Sequence, residues 1–303
     1  MTSQRQIFIA AIVALLGCFA PWALAQDALD MHGKTAMVTG STSGLGETVA
    51  RRLGAMGATV IIHGLNEERG RQIATEITSK GPGRATYYTG DLGSLAAVAA
   101  LAKRVRAEHP QLHLLINNAG IGGVANEARR ESADGYELVF AINYLSHFLL
   151  TRELLPLLEA GAPARIVNVA SIGQRTINFD DIMMRENYQT TSAYAQSKLA
   201  QILFTISLAG MLDPKKVIVN AVHPATYMNT PMVTGAGRQP MSSVEDGANS
   251  VMQLAVGKAI AGRTGLYFNQ MNEGRANAQA YDAAARERLW DLSAKLIQAR
   301  AVQ

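Results

Sequence analysis

The chain has 303 residues, of which 48% are hydrophobic and only 17% carry a charge, so it can bury one large core or two modest ones. The formal net charge is +4, but there is no lysine- or arginine-rich run and no basic stripe with interleaved aromatic side chains, which argues against nucleic-acid binding. A single cysteine, Cys18, excludes an internal disulfide, and the six histidines show no metal-ligand spacing, so we predict no metal site.

Residues 1–25 differ from the rest of the chain. Arg5 precedes a long apolar run that closes on Ala-Leu-Ala, ending at Ala25. This order is typical of a secretory signal peptide, so we predict cleavage after Ala25 and an exported, periplasmic or secreted protein. Two alternatives stay open. Residues 7–24 are long enough for a short membrane anchor, and the Leu-Leu-Gly-Cys sequence at 15–18 resembles a lipoprotein cleavage site with Cys18 lipidated.

From about residue 30 the chain alternates short runs of Val, Ile and Leu with longer amphipathic segments. The apolar runs predict strands at 35–39, 58–64, 84–91, 112–120, 164–171, 216–224 and 264–268. The amphipathic segments predict helices at 46–57, 67–79, 94–108, 134–158 (with a bend near Pro156), 192–211, 243–256 and 279–299.

The predicted strands are apolar throughout, which indicates burial on both faces. We therefore predict an α/β fold with a single Rossmann-type, doubly wound parallel sheet and helices on both faces. No Pro-, Gly- or Ser-rich linker interrupts the pattern, so residues 30–303 form one predicted domain. Residues 172–190 and 225–242 fit no element and are candidate binding loops.

A glycine-rich loop, VTGSTSGLGE, joins the first predicted strand to the first predicted helix. Gly40, Gly44 and Gly46 would let the backbone approach a pyrophosphate, and the helix N-terminus would supply N–H groups and a partial positive charge. A purely structural turn is the alternative, but the first βα unit of a doubly wound sheet is where dinucleotides bind. No Gly-Lys-Ser/Thr follows, which excludes a Walker-type phosphate loop.

Two further loops follow the third and fourth predicted strands, at the edge where the ligand crevice of such sheets lies. Asp91 could accept a hydrogen bond from an adenine amino group, or it could cap the next helix in competition with Ser94. In the NNAG sequence at 117–120, we predict that Asn117 pins neighbouring strands together.

The stretch TSAYAQSKLA places Tyr194 and Lys198 four residues apart, on one face of a predicted helix. A phenol with its ordinary pKa of about 10 is a poor base near neutrality. A cation one turn away favours the phenolate, and Tyr194 is expected in the first helical turn, where the helix dipole acts in the same direction, so we predict a lowered pKa. Ser171, at the end of the fifth strand, could hydrogen-bond a substrate oxygen. Taken alone, the Tyr/Lys pair could equally be an exposed surface pair.

Together, TGSTSGLG, NNAG, Asn143 in FAINYLSHFLLT, Ser171 in IVNVAS and YAQSK resemble the short-chain dehydrogenase/reductase family. The separation of 23 residues between Ser171 and Tyr194 is similar to that of the retinol-dehydrogenase-like branch. The resemblance implies an NAD(P)-dependent oxidoreductase that interconverts an apolar alcohol and its aldehyde or ketone. It implies that Tyr194 is the general acid/base, that Lys198 tunes it and holds the nicotinamide ribose, that Ser171 positions the carbonyl, and that Asn143 bends the long helix and anchors a water.

The resemblance also implies a set of cofactor contacts and an assembly. NADP is favoured over NAD, because no acid follows the second strand and Arg69 could reach a 2′-phosphate. Leu65 departs from the arginine of many NADP-using members, and Ala225 departs from the usual glycine after Pro224. Family members often pair through helices matching 134–158 and 192–211, so we expect a homodimer or homotetramer. The expected cofactor contacts are Gly40, Ser41, Thr42, Gly44, Leu45, Gly46, Asn66, Asp91, Leu92, Asn118, Ala119, Gly120, Tyr194, Lys198, Pro224 and Ala225.

Other hypotheses remain at this point. One is a non-catalytic dinucleotide-binding module that senses redox state or scaffolds a partner. Another is a sugar epimerase or dehydratase of the related extended type, although the chain lacks the longer substrate domain those enzymes usually carry. Apolar side chains in the two unplaced segments could line a substrate pocket, serve ordinary loop packing or form an oligomer contact; they are Ile177, Phe179, Met183, Met184, Tyr188, Met228 and Met232.

Overall fold

The computed structural model describes residues 28–122 and 127–299. The predicted signal peptide, the alternative anchor at 7–24 and Cys18 lie outside the described residues. Within these two ranges, no helix has both the length and the apolar character needed to cross a membrane.

The described residues form eight strands and eight α-helices. The strands are β1 Thr35–Val38, β2 Thr59–His63, β3 Arg84–Tyr88, β4 Leu114–Asn117, β5 Ala164–Val169, β6 Val217–His223, β7 Tyr267–Asn269 and β8 Asn272–Gly274. The helices are α1 Gly44–Ala55, α2 Glu67–Lys80, α3 Leu95–Glu108, α4 (Leu138–Phe140, the π-helical Ala141–Leu145 and Ser146–Ala160), α5 Thr190–Met211, α6 Pro231–Thr234, α7 Val244–Val256 and α8 Ala283–Gln298.

The strands form one sheet in the order β3-β2-β1-β4-β5-β6-β7-β8. All neighbouring pairs are parallel except β7 and β8, which are antiparallel. Consecutive residues of β1 pack into different cores, Met37 on one face of the sheet and Val38 on the other. The predicted doubly wound α/β fold is therefore confirmed. The sequence pattern missed β8 because Asn272–Gly274 is a short, polar edge strand without an apolar run.

The long helix α4 begins at Leu138, later than the predicted start near 134. Gly135 has a φ of +75°, which belongs to a turn, and the carboxylate of Glu137 then caps the helix by accepting hydrogen bonds from the N–H groups of Val139 (3.0 Å) and Phe140 (2.6 Å). Regular winding is interrupted at the π-helical segment, which contains Asn143, whereas Pro156 lies inside the regular part.

Helix α5 begins at Thr190, two residues before the predicted start, so Tyr194 lies in the second turn rather than the first. This corrects the expectation of a strong dipole effect on Tyr194, because that effect falls off within the first turn. Helix α8 packs against both α4 and α5. The Trp290 ring contacts Phe148 and Phe204, at centroid distances of 5.1 and 6.0 Å, and the hydroxyls of Tyr144 and Ser293 are 2.7 Å apart.

The two unplaced segments differ in burial: 172–190 packs partly into the core, whereas 225–242 is mostly exposed or half-buried. In 172–190, Ile177 and Met183 are buried and join the core on the α4/α5 side of the sheet. In 225–242, backbone bonds close the loop: Met241 N–H donates to the Tyr227 carbonyl (2.8 Å), and Asn229 N–H donates to the Ser242 carbonyl (3.1 Å). Ordinary packing, one of the three interpretations offered by the sequence, therefore holds for Ile177 and Met183.

Candidate active site

The glycine-rich loop between β1 and α1 can hold a dinucleotide phosphate. A Cβ added to Gly46 would lie 2.3 Å from the carbonyl oxygen of Gly40, so backbone fills the space that a side chain would need. Gly40 and Gly44 have φ values of +63° and +54°, a region that favours glycine. Ser43 does not cap the first turn of α1 with its side chain, which leaves that turn's N–H groups for an anion.

Thr39, which the sequence analysis did not single out, braces this loop against the NNAG loop. Its buried hydroxyl accepts hydrogen bonds from the N–H groups of Asn118 (2.9 Å) and Ala119 (3.0 Å). The side-chain amide of Asn118 donates in return to the carbonyls of Thr39 (2.8 Å) and Gly40 (3.2 Å). The Asn118 amide thus shapes the predicted cofactor cradle. The only sequence signal for Thr39 was its position beside Gly40.

A second missed residue, His147, connects this brace to Asn143. His147 Nε2 lies 3.0 Å from the Thr39 hydroxyl, and Nδ1 lies 3.1 Å from the backbone carbonyl of Asn143. Burial lowers the pKa of His147 to about 3, so the ring is neutral. A neutral ring that donates from Nδ1 to the carbonyl can accept at Nε2 from Thr39.

The Asn143 side chain, fully buried, ties three elements together. Its Oδ1 accepts from the N–H of Ile121 (2.8 Å), and its Nδ2 donates to the Ile121 carbonyl (3.0 Å) and to the Ser197 hydroxyl (3.1 Å). Gly120 lies alongside: a Cβ there would be 3.2 Å from Asn143 Oδ1 and 3.6 Å from Lys198 Nζ. The predicted NNAG loop, long helix and Tyr/Lys helix therefore meet at Asn143.

Asn117 has the structural role predicted for it. Its Nδ2 donates to the side-chain oxygen of Asn168 on β5 (2.8 Å) and to the hydroxyl of Thr151 on α4 (2.9 Å), which confirms that it pins neighbouring strands.

At the other end of the crevice, the side chains of Asn66 and Asp91 order their own loops. Asn66 accepts from the N–H of Arg69 (2.9 Å) and so caps α2, and Asp91 accepts from the N–H of Gly93 (2.8 Å). Ser94, rather than Asp91, caps α3. Leu65 is 69% exposed, and the Arg69 guanidinium pairs with the carboxylate of Glu47 on α1.

The remaining expected cofactor contacts differ in exposure. Gly120 is partly exposed, and so is Thr42, which packs beside Gly64. The buried ones can meet a ligand mainly through their backbone; these are Ser41, Leu45, Leu92, Pro224 and Ala225. The Ser41 hydroxyl, for example, donates to the Val38 carbonyl (2.8 Å).

The loop after β6 lies against the glycine-rich loop. A Cβ added to Gly44 would be 3.1 Å from the Thr230 methyl group, so Thr230 closes over the phosphate cradle. Further along, Arg238 donates to the Tyr227 hydroxyl (2.6 Å), and Tyr227 has a φ of +45°, an uncommon conformation for a bulky residue. Spacing offered no signal for these residues, because the loop carries no regular pattern.

The predicted catalytic side chains meet at the carboxyl end of β5. Ser171 follows that strand, is nearly buried, and its hydroxyl lies beside the Tyr194 side chain. Lys198 lies one turn further along α5 and is 3% exposed, with Nζ 5.7 Å from the Tyr194 ring centre. The ammonium group donates to the carbonyl of Val169 (2.8 Å) and to the side-chain oxygen of Gln201 (2.9 Å).

The electrostatics of Tyr194 correct the sequence expectation. Burial raises the pKa of the phenol above its ordinary value, while the neighbouring Ser171 hydroxyl and the charge of Arg238 act in the opposite direction. Burial also lowers the pKa of Lys198 to about 7. The predicted lowering of the Tyr194 pKa was wrong for the chain as it stands, because loss of solvent outweighs the charges near the phenol.

The sequence model of the short chain dehydrogenase family matches residues 34–240. The chain belongs to this family. Its relatives include mouse (Mus musculus) retinol dehydrogenase 14, which is 33% identical over 88% of this chain and 86% of the relative, and mouse polyprenol dehydrogenase, which is 35% identical over 85% and 82%. The retinol-dehydrogenase-like branch inferred from the sequence is therefore confirmed.

Solved structures agree with this membership. An uncharacterized protein from Mycobacterium Paratuberculosis matches with a TM-score of 0.73 and 29% identity, over 90% of this chain and 97% of that one. A short chain dehydrogenase from Shigella flexneri, solved in complex with NADP, matches with a TM-score of 0.64 and 27% identity, over 81% and 99%.

Proposed function

We propose that this short-chain dehydrogenase interconverts an apolar alcohol and its aldehyde or ketone, with Tyr194 as general acid/base and NADP as the favoured cofactor over NAD. The observation that carries the proposal is the meeting of Tyr194, Ser171 and Lys198 at the end of β5, with the Lys198 ammonium 5.7 Å from the Tyr194 ring centre and hydrogen-bonded to the Val169 carbonyl. Relatives named for retinol and polyprenol, both apolar alcohols, support the substrate class.

The bound nicotinamide would supply or accept a hydride. In reduction, the Tyr194 hydroxyl gives its proton to the oxygen of the carbonyl, and the Ser171 hydroxyl donates a hydrogen bond to the same oxygen as negative charge develops there. In oxidation, Tyr194 takes the proton from the alcohol. A charged Lys198 nearby favours the phenolate that this direction needs.

The residues around the crevice fit a dinucleotide. The crowded glycines Gly40 and Gly46 and the uncapped first turn of α1 suit a pyrophosphate. The preference for NADP rests on the absence of an acid after β2 at 64–66, and on two relatives solved with NADP or NADPH, from Shigella flexneri and Escherichia coli.

The test is turnover by the purified protein with NADPH or NADH and a panel of long-chain and retinoid-like carbonyls. We expect oxidation of NADPH with at least one of them. Tyr194→Phe should lower kcat at least about a hundredfold while the Kd for NADPH stays within about twofold of the wild type. Tyr88→Phe, on edge strand β3, is the control for loss of a phenol hydroxyl. Cofactor binding without turnover of any carbonyl would instead favour a dinucleotide sensor or scaffold.

We also propose that residues 1–25 act as an export signal, from the charged start and the apolar run ending at Ala25. Expression of the full chain in a Gram-negative host, followed by fractionation and mass analysis of the N-terminus, tests this. A mature chain beginning at Gln26 in the periplasm is expected, and a full-length chain in the membrane fraction would favour the anchor instead.

A further inference from the structure

The ammonium group of Lys198 has two acceptors in the structure. It donates to the carbonyl oxygen of Val169, the last residue of β5, at 2.8 Å, and to Gln201 Oε1 at 2.9 Å. Because an ammonium has three hydrogens, one remains for a ligand in the crevice. Among the described residues, the Gln201 side-chain oxygen is the only side-chain group that accepts a hydrogen bond from the Lys198 ammonium.

No carboxylate pairs with Lys198 in the part of the chain that the structure describes. Two titratable groups face it: Tyr194 on the same helix and His147 on α4. His147 is neutral above about pH 3 because burial lowers its pKa. Within the described part of the chain, the charge of this buried lysine is therefore compensated only by neutral hydrogen-bond acceptors.

Gln201 itself is 1% exposed, and its amide nitrogen has no hydrogen-bond partner among the described residues. A buried amide with an unpaired donor weakens a fold, so packing alone does not explain a glutamine here. Its backbone carbonyl accepts from the Thr205 hydroxyl (2.8 Å), within the same helix. Among the described residues, the one hydrogen bond of the Gln201 side chain is the one with Lys198.

We propose that Gln201 is a positioning residue for the reaction: its side-chain oxygen holds the Lys198 ammonium at the end of β5 and favours the charged form of that lysine. The role of Gln201 in catalysis rests on the proposed function. The effect of the Gln201 oxygen on the charge of the buried Lys198 amine does not depend on that function.

Two substitutions give opposite results if this is correct. Gln201→Met keeps the length of the side chain but removes the acceptor, so the charged lysine loses support and the pKa of Lys198 falls. Gln201→Glu places a negative charge at the same position, so the pKa of Lys198 rises by about one unit or more. If Gln201 served only packing, the two substitutions would not shift the pKa of Lys198 in opposite directions.

The experiment is an NMR titration of protein labelled with ¹³C at the lysine Cε positions, with the Lys198 signal assigned by its loss in Lys198→Met. The wild-type midpoint is expected near pH 7. Gln196→Met is the matched control, because Gln196 is also a buried glutamine of α5 but bonds Asn178 and Ile182 instead of the lysine. It should leave the Lys198 midpoint unchanged.

Where a carbonyl substrate is found, the alkaline limb of kcat/KM for reduction should move in the same directions, to lower pH in Gln201→Met and to higher pH in Gln201→Glu. Far-UV circular dichroism establishes which variants fold. If only one variant folds, the direction of its Lys198 pKa shift decides whether the proposal holds. Unchanged Lys198 midpoints, or shifts of the same sign in both variants, would overturn the proposal. The titration needs no substrate. A protein that reduces no carbonyl would therefore refute the proposed function, while the titration would still test this inference separately.

Discussion

The amine of Lys198 lies 5.7 Å from the centre of the Tyr194 ring, yet its hydrogen bonds go to a backbone carbonyl and an amide rather than to the phenol. Any effect of the lysine charge on Tyr194 therefore has to act through space and not through a hydrogen bond. Because that amine is buried and pairs with no carboxylate among the described residues, its charge state is coupled to folding.

The first prediction concerns stability and pH in Lys198→Met. The folded-state pKa of about 7 is below the unfolded value of 10.5, so the unfolded wild type binds more protons between these pH values and wild-type stability rises with pH across that window. Below about pH 7 the charged lysine costs up to a few kcal/mol, a cost that the variant lacks. The difference in free energy of unfolding should therefore shift in favour of the wild type as pH rises.

Urea unfolding at several pH values from neutral to alkaline measures this difference. Lys103→Met, at an exposed lysine of α3, controls for the loss of one positive charge. A difference that stays constant over the whole window would contradict the prediction.

The second prediction concerns the phosphate cradle. Gly46→Ala forces a methyl group to within 2.3 Å of the Gly40 carbonyl and 2.5 Å of the Asn118 amide, so the loop must move. The affinity for NADPH, measured by fluorescence titration, should fall about tenfold or more. Gly210→Ala is the matched control: a Cβ there meets nothing within 4 Å, and the variant should be neutral or more stable by up to about 1 kcal/mol. Equal NADPH affinities in the two variants would argue against this loop as the cradle.

The third prediction concerns cofactor choice. Glu47→Gln removes the carboxylate that pairs with Arg69, near the end of β2 where the adenosine ribose binds in such folds. With this partner lost, Arg69 can turn to a 2′-phosphate, and the ratio of NADPH to NADH affinity should rise by a factor of about five, as for a partly exposed ion pair. Glu67→Gln, which breaks the exposed pair with Arg71 on α2, should leave the ratio unchanged. Calorimetric titration of each variant with both dinucleotides gives the ratio.

The fourth prediction concerns the brace between the two cofactor loops. Thr39→Val removes the acceptor for two backbone N–H groups, those of Asn118 and Ala119, and should lower the free energy of unfolding by about 2 kcal/mol or more. Thr39→Ser keeps the hydroxyl and should recover most of the loss. Denaturant unfolding of the wild type and the two variants measures this difference. A valine variant as stable as the serine variant would refute the bracing role of the Thr39 hydroxyl.

Much of the fold was predictable because its signals are local. Apolar runs marked the buried strands, and the order of strands and helices predicted the sheet. The start of α4 was misplaced because a turn at Gly135 and a cap by Glu137 interrupt an otherwise helical pattern. Strand β8 was missed because an edge strand needs no apolar run.

At the site, the sequence identified the residues whose chemistry is recognisable from a motif, such as Tyr194 and Lys198. It did not reveal Thr39 or His147, whose importance comes from contacts across more than 70 residues of chain. It also misjudged the pKa of Tyr194, because the sequence carries no measure of how much solvent the fold removes from a side chain. Residue type predicted which groups could carry out acid/base chemistry, whereas the direction of their pKa shifts followed only from how the fold packs around them.

Helix α8 adds a consequence for assembly. It packs against α4 and α5: Trp290 contacts Phe148 and Phe204, and the hydroxyls of Tyr144 and Ser293 are hydrogen-bonded. These are the two helices through which the sequence predicted a homodimer or homotetramer. A second copy that pairs through these two helices would also have to accommodate α8, which occupies part of their surface around Trp290.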